Sequence, residues 1–244
     1  MEGFERIAVA VYNNKGGVGK TTISSILVQI ALERGLQVVA ADREQQHNLT
    51  RTIRLILQND TSGQFRKLCE NLTLTKEIEN AGDVIVIDCS PALGSKASDA
   101  MEFADVVLVP VTADMYALSN LERVYKLAEK LGKRPEQLAI VMNGLDKKSV
   151  VADSIRYMIR KSGLPVAGSV PMHGMIPQNV LLGKMWHYGL PASYRRGFYD
   201  LFEATIGAYS IFREGDFEGA WPDWWATHED NDFSSEGESD VAES

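Results

Sequence analysis

The sequence predicts a doubly wound α/β fold, a mostly parallel sheet with helices on both faces. Short Val/Ile/Ala-rich runs recur along the chain, helical stretches separate them, and the chemically suggestive residues fall directly after the apolar runs. A strand covered on both faces reads as a near-continuous apolar run rather than an alternation. Strands are therefore expected at 7–12 (IAVAVY), 37–41 (QVVAA), 84–88 (VIVID), 106–110 (VVLVP), 138–142 (LAIVM) and 165–170 (PVAGSV). Helices are expected at 20–34, within 48–58, and at 64–71, 95–103, 117–131, 151–162, 177–184 and 193–208. In such a sheet the ligand crevice lies beyond the carboxyl ends of the strands.

Of the 244 residues, 45% are hydrophobic and 24% charged, which excludes wholesale disorder and a fibrous repeat. Two cysteines, Cys69 and Cys89, are too few for a disulfide framework, and no Cys/His cluster has metal-ligand spacing. With neither a secretory-type start nor an apolar run of membrane-span length, a reduced cytoplasmic setting is expected. The net charge of -8 is unevenly divided. After Arg213 come eleven acids and no Lys or Arg, which leaves 25 bases against 22 acids in residues 1–213, a net of +3. The expected organisation is an α/β domain over 1–213 and an acidic, disordered tail over 214–244, interrupted by Trp221, Trp224 and Trp225.

The first strand runs into NNKGGVGKTTISSIL, Asn13 to Leu27, which opens a helix. Glycines in such a turn let successive backbone N–H groups converge on phosphate oxygens, and the helix N-terminus adds its dipole. Gly16, Gly17, Val18, Gly19, Lys20, Thr21 and Thr22 form the expected cradle, with Lys20 reaching the β/γ-phosphates and the Thr21 hydroxyl on Mg2+. The first glycine of the standard pattern is replaced by Asn14, and a second lysine, Lys15, opens the loop. A cation there has a purpose if two nucleotide sites face each other, because it can reach phosphates held by another subunit.

The segment KGGVGKTT resembles the deviant Walker A loop of the ParA/Soj/MinD ATPases. The resemblance continues through REQQHNLT, VIVIDCSPALG and VPVTADMYALSNL, and more weakly through VPMHGMIPQNVLLGK, so it covers roughly residues 5 to 208. It implies ATP and Mg2+ as ligands and a homodimer that sandwiches nucleotide, with Lys15 acting in trans. It also implies slow ATP hydrolysis stimulated by an adaptor protein that links cargo to the ATPase. The cargo would be a plasmid, a chromosome region or a large protein assembly.

Carboxylates end two later strands. Asp88 closes VIVID in the position of a Walker B aspartate, and Asp42 closes the second strand facing the same crevice; both suit a water-mediated Mg2+ site, and both also suit a turn or a helix cap. Related sequences usually read D-x-D-P-Q where this one reads Asp42-Arg43-Glu44-Gln45-Gln46. The resemblance makes Glu44 the group that orients the attacking water. Its extra methylene moves the carboxylate by on the order of 1 Å, a misplacement that can cost about a hundredfold in rate. Asn143, after the fifth of these strands, offers an amide to the adenine edge or serves as an ordinary turn residue, and the backbone around Pro171 resembles the family's adenine-contacting turn.

Between 147 and 161, Lys147, Lys148, Arg156, Arg160 and Lys161 face a single acid, Asp153, and Lys184, Arg195 and Arg196 follow. Arg156 and Arg160, four apart, share a helix face. Composition alone reads these as solvated surface. The resemblance makes them a nonspecific double-stranded DNA surface, with nucleoid association. The acidic tail lacks the Lys/Arg of a membrane-targeting helix, so no membrane partner is expected. Two other classes fit the loop: a metabolic P-loop enzyme of the ATP-dependent ligase type, and a nucleotide-gated binding module with negligible turnover. An iron–sulfur redox ATPase lacks its cysteine pairs, and a tyrosine autokinase lacks a tyrosine-rich tail, since Tyr209 is the last tyrosine.

Overall fold

Strands β1 (Ile7–Val11), β2 (Val38–Asp42), β4 (Val84–Asp88) and β5 (Val106–Val111) are buried at every position, which is why their sequences do not alternate. The computed structural model describes residues 6–92, 94–114, 116–145, 149–161, 163–170 and 174–207. Its seven strands form one parallel sheet in the order β3-β2-β4-β1-β5-β6-β7, with β3 spanning Leu72–Thr75, β6 Leu138–Asn143 and β7 Val166–Val170.

Period two along β1 sorts the core. Ile7, Val9 and Val11 point to one apolar layer, under helices α1 (Lys20–Glu33), α2 (Asn48–Asn59) and α8 (Ala192–Phe202). Ala8 and Ala10 point to the other, under α4 (Ser95–Phe103), α5 (Ala117–Lys130) and α6 (Val150–Lys161). The two short helices are α3 (Gln64–Leu68) and α7 (Met175–Leu181).

The expected doubly wound architecture is therefore present, with most element bounds within two residues. The expected helix over 64–71 stops at Leu68 and tightens into a 3-10 turn, Cys69–Asn71. The edge strand β3 (Leu72–Thr75) was not anticipated: its LTLT sequence is short, and none of its residues is buried. After α8 the chain makes a π turn, Glu203–Gly207, that packs against β7. The tail over 214–244 lies outside the described residues.

Parallel register brings the strand ends level. Asp42 on β2 aligns with Asp88 on β4, and Asp88 with Val11 at the end of β1. Three separate stretches of sequence thus deliver their next residues to one edge of the sheet.

Candidate functional site: a phosphate loop backed by strand-end carboxylates

The loop between β1 and α1 is shaped by two glycines in the left-handed region, Gly17 at φ 75° and Gly19 at φ 92°. Gly19 has a second reason to lack a side chain, because a Cβ would lie 2.2 Å from the Asn143 amide nitrogen. That nitrogen donates to the Val18 carbonyl at 2.8 Å, clasping the loop to the end of β6. Asn143 is thus a brace for the loop as well as a wall of its cavity. On the other side Asn13 ties the loop to β5: its amide donates to the Pro110 carbonyl at 2.8 Å, and its side-chain oxygen accepts the Lys15 N–H at 3.0 Å.

Lys20, the first residue of α1, is buried, and its Nζ donates to the Lys15 carbonyl at 2.7 Å. Burial lowers its pKa, against the upward pull of Asp88 and Glu44. The Lys15 ammonium forms an ion pair with Asp114, beyond the end of β5. Burial pushes the Asp114 carboxyl up, but hydrogen bonds from Lys15 and the Tyr116 N–H outweigh it and hold it below the ordinary range. In the single chain, the loop's leading cation is therefore satisfied in cis.

Asp88 is fully buried. Its Oδ2 accepts the Thr21 hydroxyl at 2.8 Å, and Oδ1 accepts the Ser24 hydroxyl at 3.2 Å. Desolvation, reinforced by Asp42 and Glu44, pushes its pKa up to about 7 despite those two hydrogen bonds. Asp42 is also buried, and both of its oxygens are engaged. Oδ2 accepts the Thr50 N–H at 2.7 Å, capping α2 from a distance, and Oδ1 accepts the Glu44 N–H at 3.3 Å. This capping supplements α2's own N-cap, His47, which makes no side-chain cap bond. Glu44 is half-buried, with Oε2 accepting the Asn48 amide at 2.6 Å.

Gly16, Gly17, Lys20, Thr21, Glu44 and Asn143 line one end of a cavity of about 770 Å³. Thr22 lies at its exposed rim, and the far end passes between α1, α7 and α8 over Ile26, Ile176 and Phe198. The volume is of small-ligand size. A Thr hydroxyl and a carboxylate side by side are a hard-oxygen pair, and Mg2+ bound with substrate phosphates and waters needs little more from the protein. The donor set fits that ion. Among the described residues no cluster of three His, Cys, Asp or Glu forms an all-protein metal cage.

The structure divides the anticipated basic residues. Arg156, Arg160 and Lys161 lie on α6, on one face of the sheet; Lys184, Arg195 and Arg196 lie near α7 and α8, on the other. Arg156 and Arg160 lie four apart on the same helix as expected, but the Arg156 guanidinium is already engaged within the chain, by the Leu145 carbonyl at 2.5 Å and Asp153 at 2.7 Å. Lys184 sits 4.2 Å over the Tyr188 ring, and Arg196 pairs with Asp200 at 3.7 Å. Pro171, Lys147 and Lys148 lie outside the described residues. The sequence reading missed Asn13, Ser24 and Asp114. Asp114 follows a strand end just as Asp42 and Asp88 close theirs, and Ser24 stands three residues from Thr21 on the same helix, so both signals were available.

No helix among the described residues is long and apolar enough to cross a membrane. Residues 9–184 match the CobQ/CobB/MinD/ParA nucleotide binding domain. The chain is 25% identical over 215 residues to the chromosome-partitioning ATPase Soj of Thermus thermophilus, covering 74% of this chain and 85% of Soj. A plasmid partition protein of Borrelia burgdorferi solved with AMPPNP superposes with a TM-score of 0.66 at 18% identity, over 83% of this chain and 99% of the other. The septum site-determining protein MinD of Pyrococcus horikoshii, solved with Mg-ADP, gives 0.63 at 18% identity, over 84% and 98%. By the matched span, the strand order and the glycine loop alike, the chain belongs to the CobQ/CobB/MinD/ParA nucleotide-binding family, the family of the partition and positioning ATPases.

Proposed function

We propose that this protein is a MgATP-operated positioning switch, with residues 1–213 as its ATPase and 214–244 as an appended acidic tail. The loop from Gly16 to Thr22 cradles the phosphates, and Lys20 exchanges the Lys15 carbonyl for phosphate oxygens. The Thr21 hydroxyl and Asp88 hold Mg2+, with Asp42 acting through water. The ion, when bound, neutralises phosphate charge and orients the terminal group for transfer. Glu44 orients the attacking water, and the Asn48 amide steers its carboxylate. Asn143 and the segment at Pro171 flank the adenine.

The observation that carries the switch is the Lys15–Asp114 ion pair. A loop lysine held by its own chain is available for exchange: ATP in a second copy offers it a triphosphate in place of one carboxylate, so nucleotide favours the pair of subunits over the single one. The dimer presents Arg160, Lys161, Lys184, Arg195 and Arg196 to nonspecific DNA, which would place the protein on the nucleoid. Hydrolysis, stimulated by a cargo adaptor, releases it.

Light scattering and DNA retention in ADP, ATP and a nonhydrolysable analogue test this reading. ATP-specific dimers that hold DNA are expected, and Lys15→Ala abolishes them while leaving nucleotide affinity within a few-fold. A chain whose oligomeric state ignores nucleotide is instead a metabolic enzyme. ATP-specific dimers without phosphate release identify a binding module with negligible turnover.

A further inference from the structure

Helix α6 has spent one face on the core, through Ala152, Ile155 and Ile159, yet its outer face also exposes large apolar side chains, beside Ser154 and an Asp153 that is bonded to Arg156. Val150 is 81% exposed and Tyr157 56%, with Val151 and Met158 exposed beside them. Arg160 and Lys161 close this face, and neither is in an ion pair among the described residues. Lys161 instead lies 5.2 Å over the Tyr157 ring. Nucleic acid backbone accounts for the cations but not for the aliphatic and aromatic surface. A second α6 would bring like charges together. The fitting occupant is extended, acidic and aromatic.

We infer that α6 is the seat of the chain's own C-terminal segment, with Trp221, Trp224 and Trp225 on the apolar stripe and the acids from Glu229 onward facing Arg160 and Lys161. Charge complementarity argues for it: 214–244 holds eleven acids and no Lys or Arg, whereas α6 ends in two cations. The exit point argues for it as well. Helix α1 runs from the phosphate loop to the amino edge of the sheet, and Arg34 beyond it pairs with Glu203 at 2.6 Å, so α8 ends at that same edge. The π turn there packs on β7, whose first residue, Val166, is separated from the end of α6 by only four residues. The chain thus leaves the described fold beside the basic end of α6, with edge strand β7 between them. The 13 residues from 208 to 220 can span on the order of 45 Å, ample to round that edge. Apolar contact and cation–π stacking give the aromatic residues their hold, and charge gives the register. This seat stands whether or not the same surface also meets DNA.

Acrylamide quenching of tryptophan emission in the full-length protein tests the seat, against a constant background from fully buried Trp186. At low salt the tail tryptophans are expected to be shielded. Arg160→Glu with Lys161→Glu should raise the quenching constant about threefold, as should 0.5 M NaCl on the unaltered chain. Tyr157→Ala with Met158→Ala should do likewise. Adding Glu229→Lys, Asp230→Lys and Asp232→Lys to the Glu double variant should restore shielding. Tail tryptophans that quench like the free amino acid at low salt overturn the proposal, as does shielding indifferent to both salt and the α6 changes. Shielding that disappears on hundredfold dilution would assign the seat to another copy's tail and overturn it too. The salt titration needs no variant and survives any misfolding of one.

Discussion

The phosphate end of the cavity and the basic outer surface carry similar residue types, and the structure treats them in opposite ways. In and behind the phosphate loop, Lys15, Lys20, Asp42 and Asp88 each have a named partner, and Lys20, Asp42 and Asp88 are buried. Outside, the basic residues are scattered over both faces of the sheet, and one of them, Arg156, has been drawn inward. An unpaired charge in a low-dielectric site costs far more than one in water, so burial fixes position and solvent does not. Substitutions at the first region should therefore act on binding and chemistry, and those at the second on affinity in small steps.

The largest effect is expected from Lys20→Ala, which removes a buried ammonium from the phosphate cradle: MgATP affinity by calorimetry should fall at least about a hundredfold. Glu44→Gln should come next, slowing single-turnover phosphate release roughly tenfold or more with ATP affinity nearly unchanged. An unchanged rate would move the water-orienting role to another residue.

Asp88 sets the two regions apart by pH. Its carboxyl holds a proton up to about pH 7 in the folded chain, whereas the unfolded chain releases it near 3.8. The folded state binds more protons across that interval, so stability falls as pH rises through it and the penalty is complete above 7. Without nucleotide or Mg2+, Asp88→Asn should therefore stabilise the protein at pH 8, by on the order of 2 kcal/mol, and make no comparable difference near pH 4. The same change should abolish Mg2+-dependent turnover. A thermal melt at both pH values checks the sign.

The smallest effects sharpen the outer region. Arg160→Ala should lower the salt slope of DNA retention by about one, the loss of a single phosphate contact. Arg156→Ala should leave that slope alone and lower the melting temperature by roughly 2–4 °C, because it breaks two internal bonds. Equal slopes for the two variants would erase the distinction drawn between them.

What the sequence made legible follows the same line. The buried strands and the phosphate loop were readable because burial on both faces forces uninterrupted Val/Ile/Ala runs, and because a left-handed turn such as that at Gly19 favours glycine. β3 was not, since an edge strand with no fully buried residue leaves no such run. The partner of Lys15 and the inward turn of Arg156 were not legible either. Each depends on which residues the sheet order places side by side, and Lys15 and Asp114 meet across 99 positions of sequence.

The bond from Asn143 to the Val18 carbonyl joins the turn after β1 to the end of β6, two places away in the sheet. That strand leads on toward α6, so the glycine loop and the start of the β6–α6 connection are anchored at one strand end. Grafting this turn alone onto another scaffold would leave it slack; the transplant must carry the far strand's terminal amide with it.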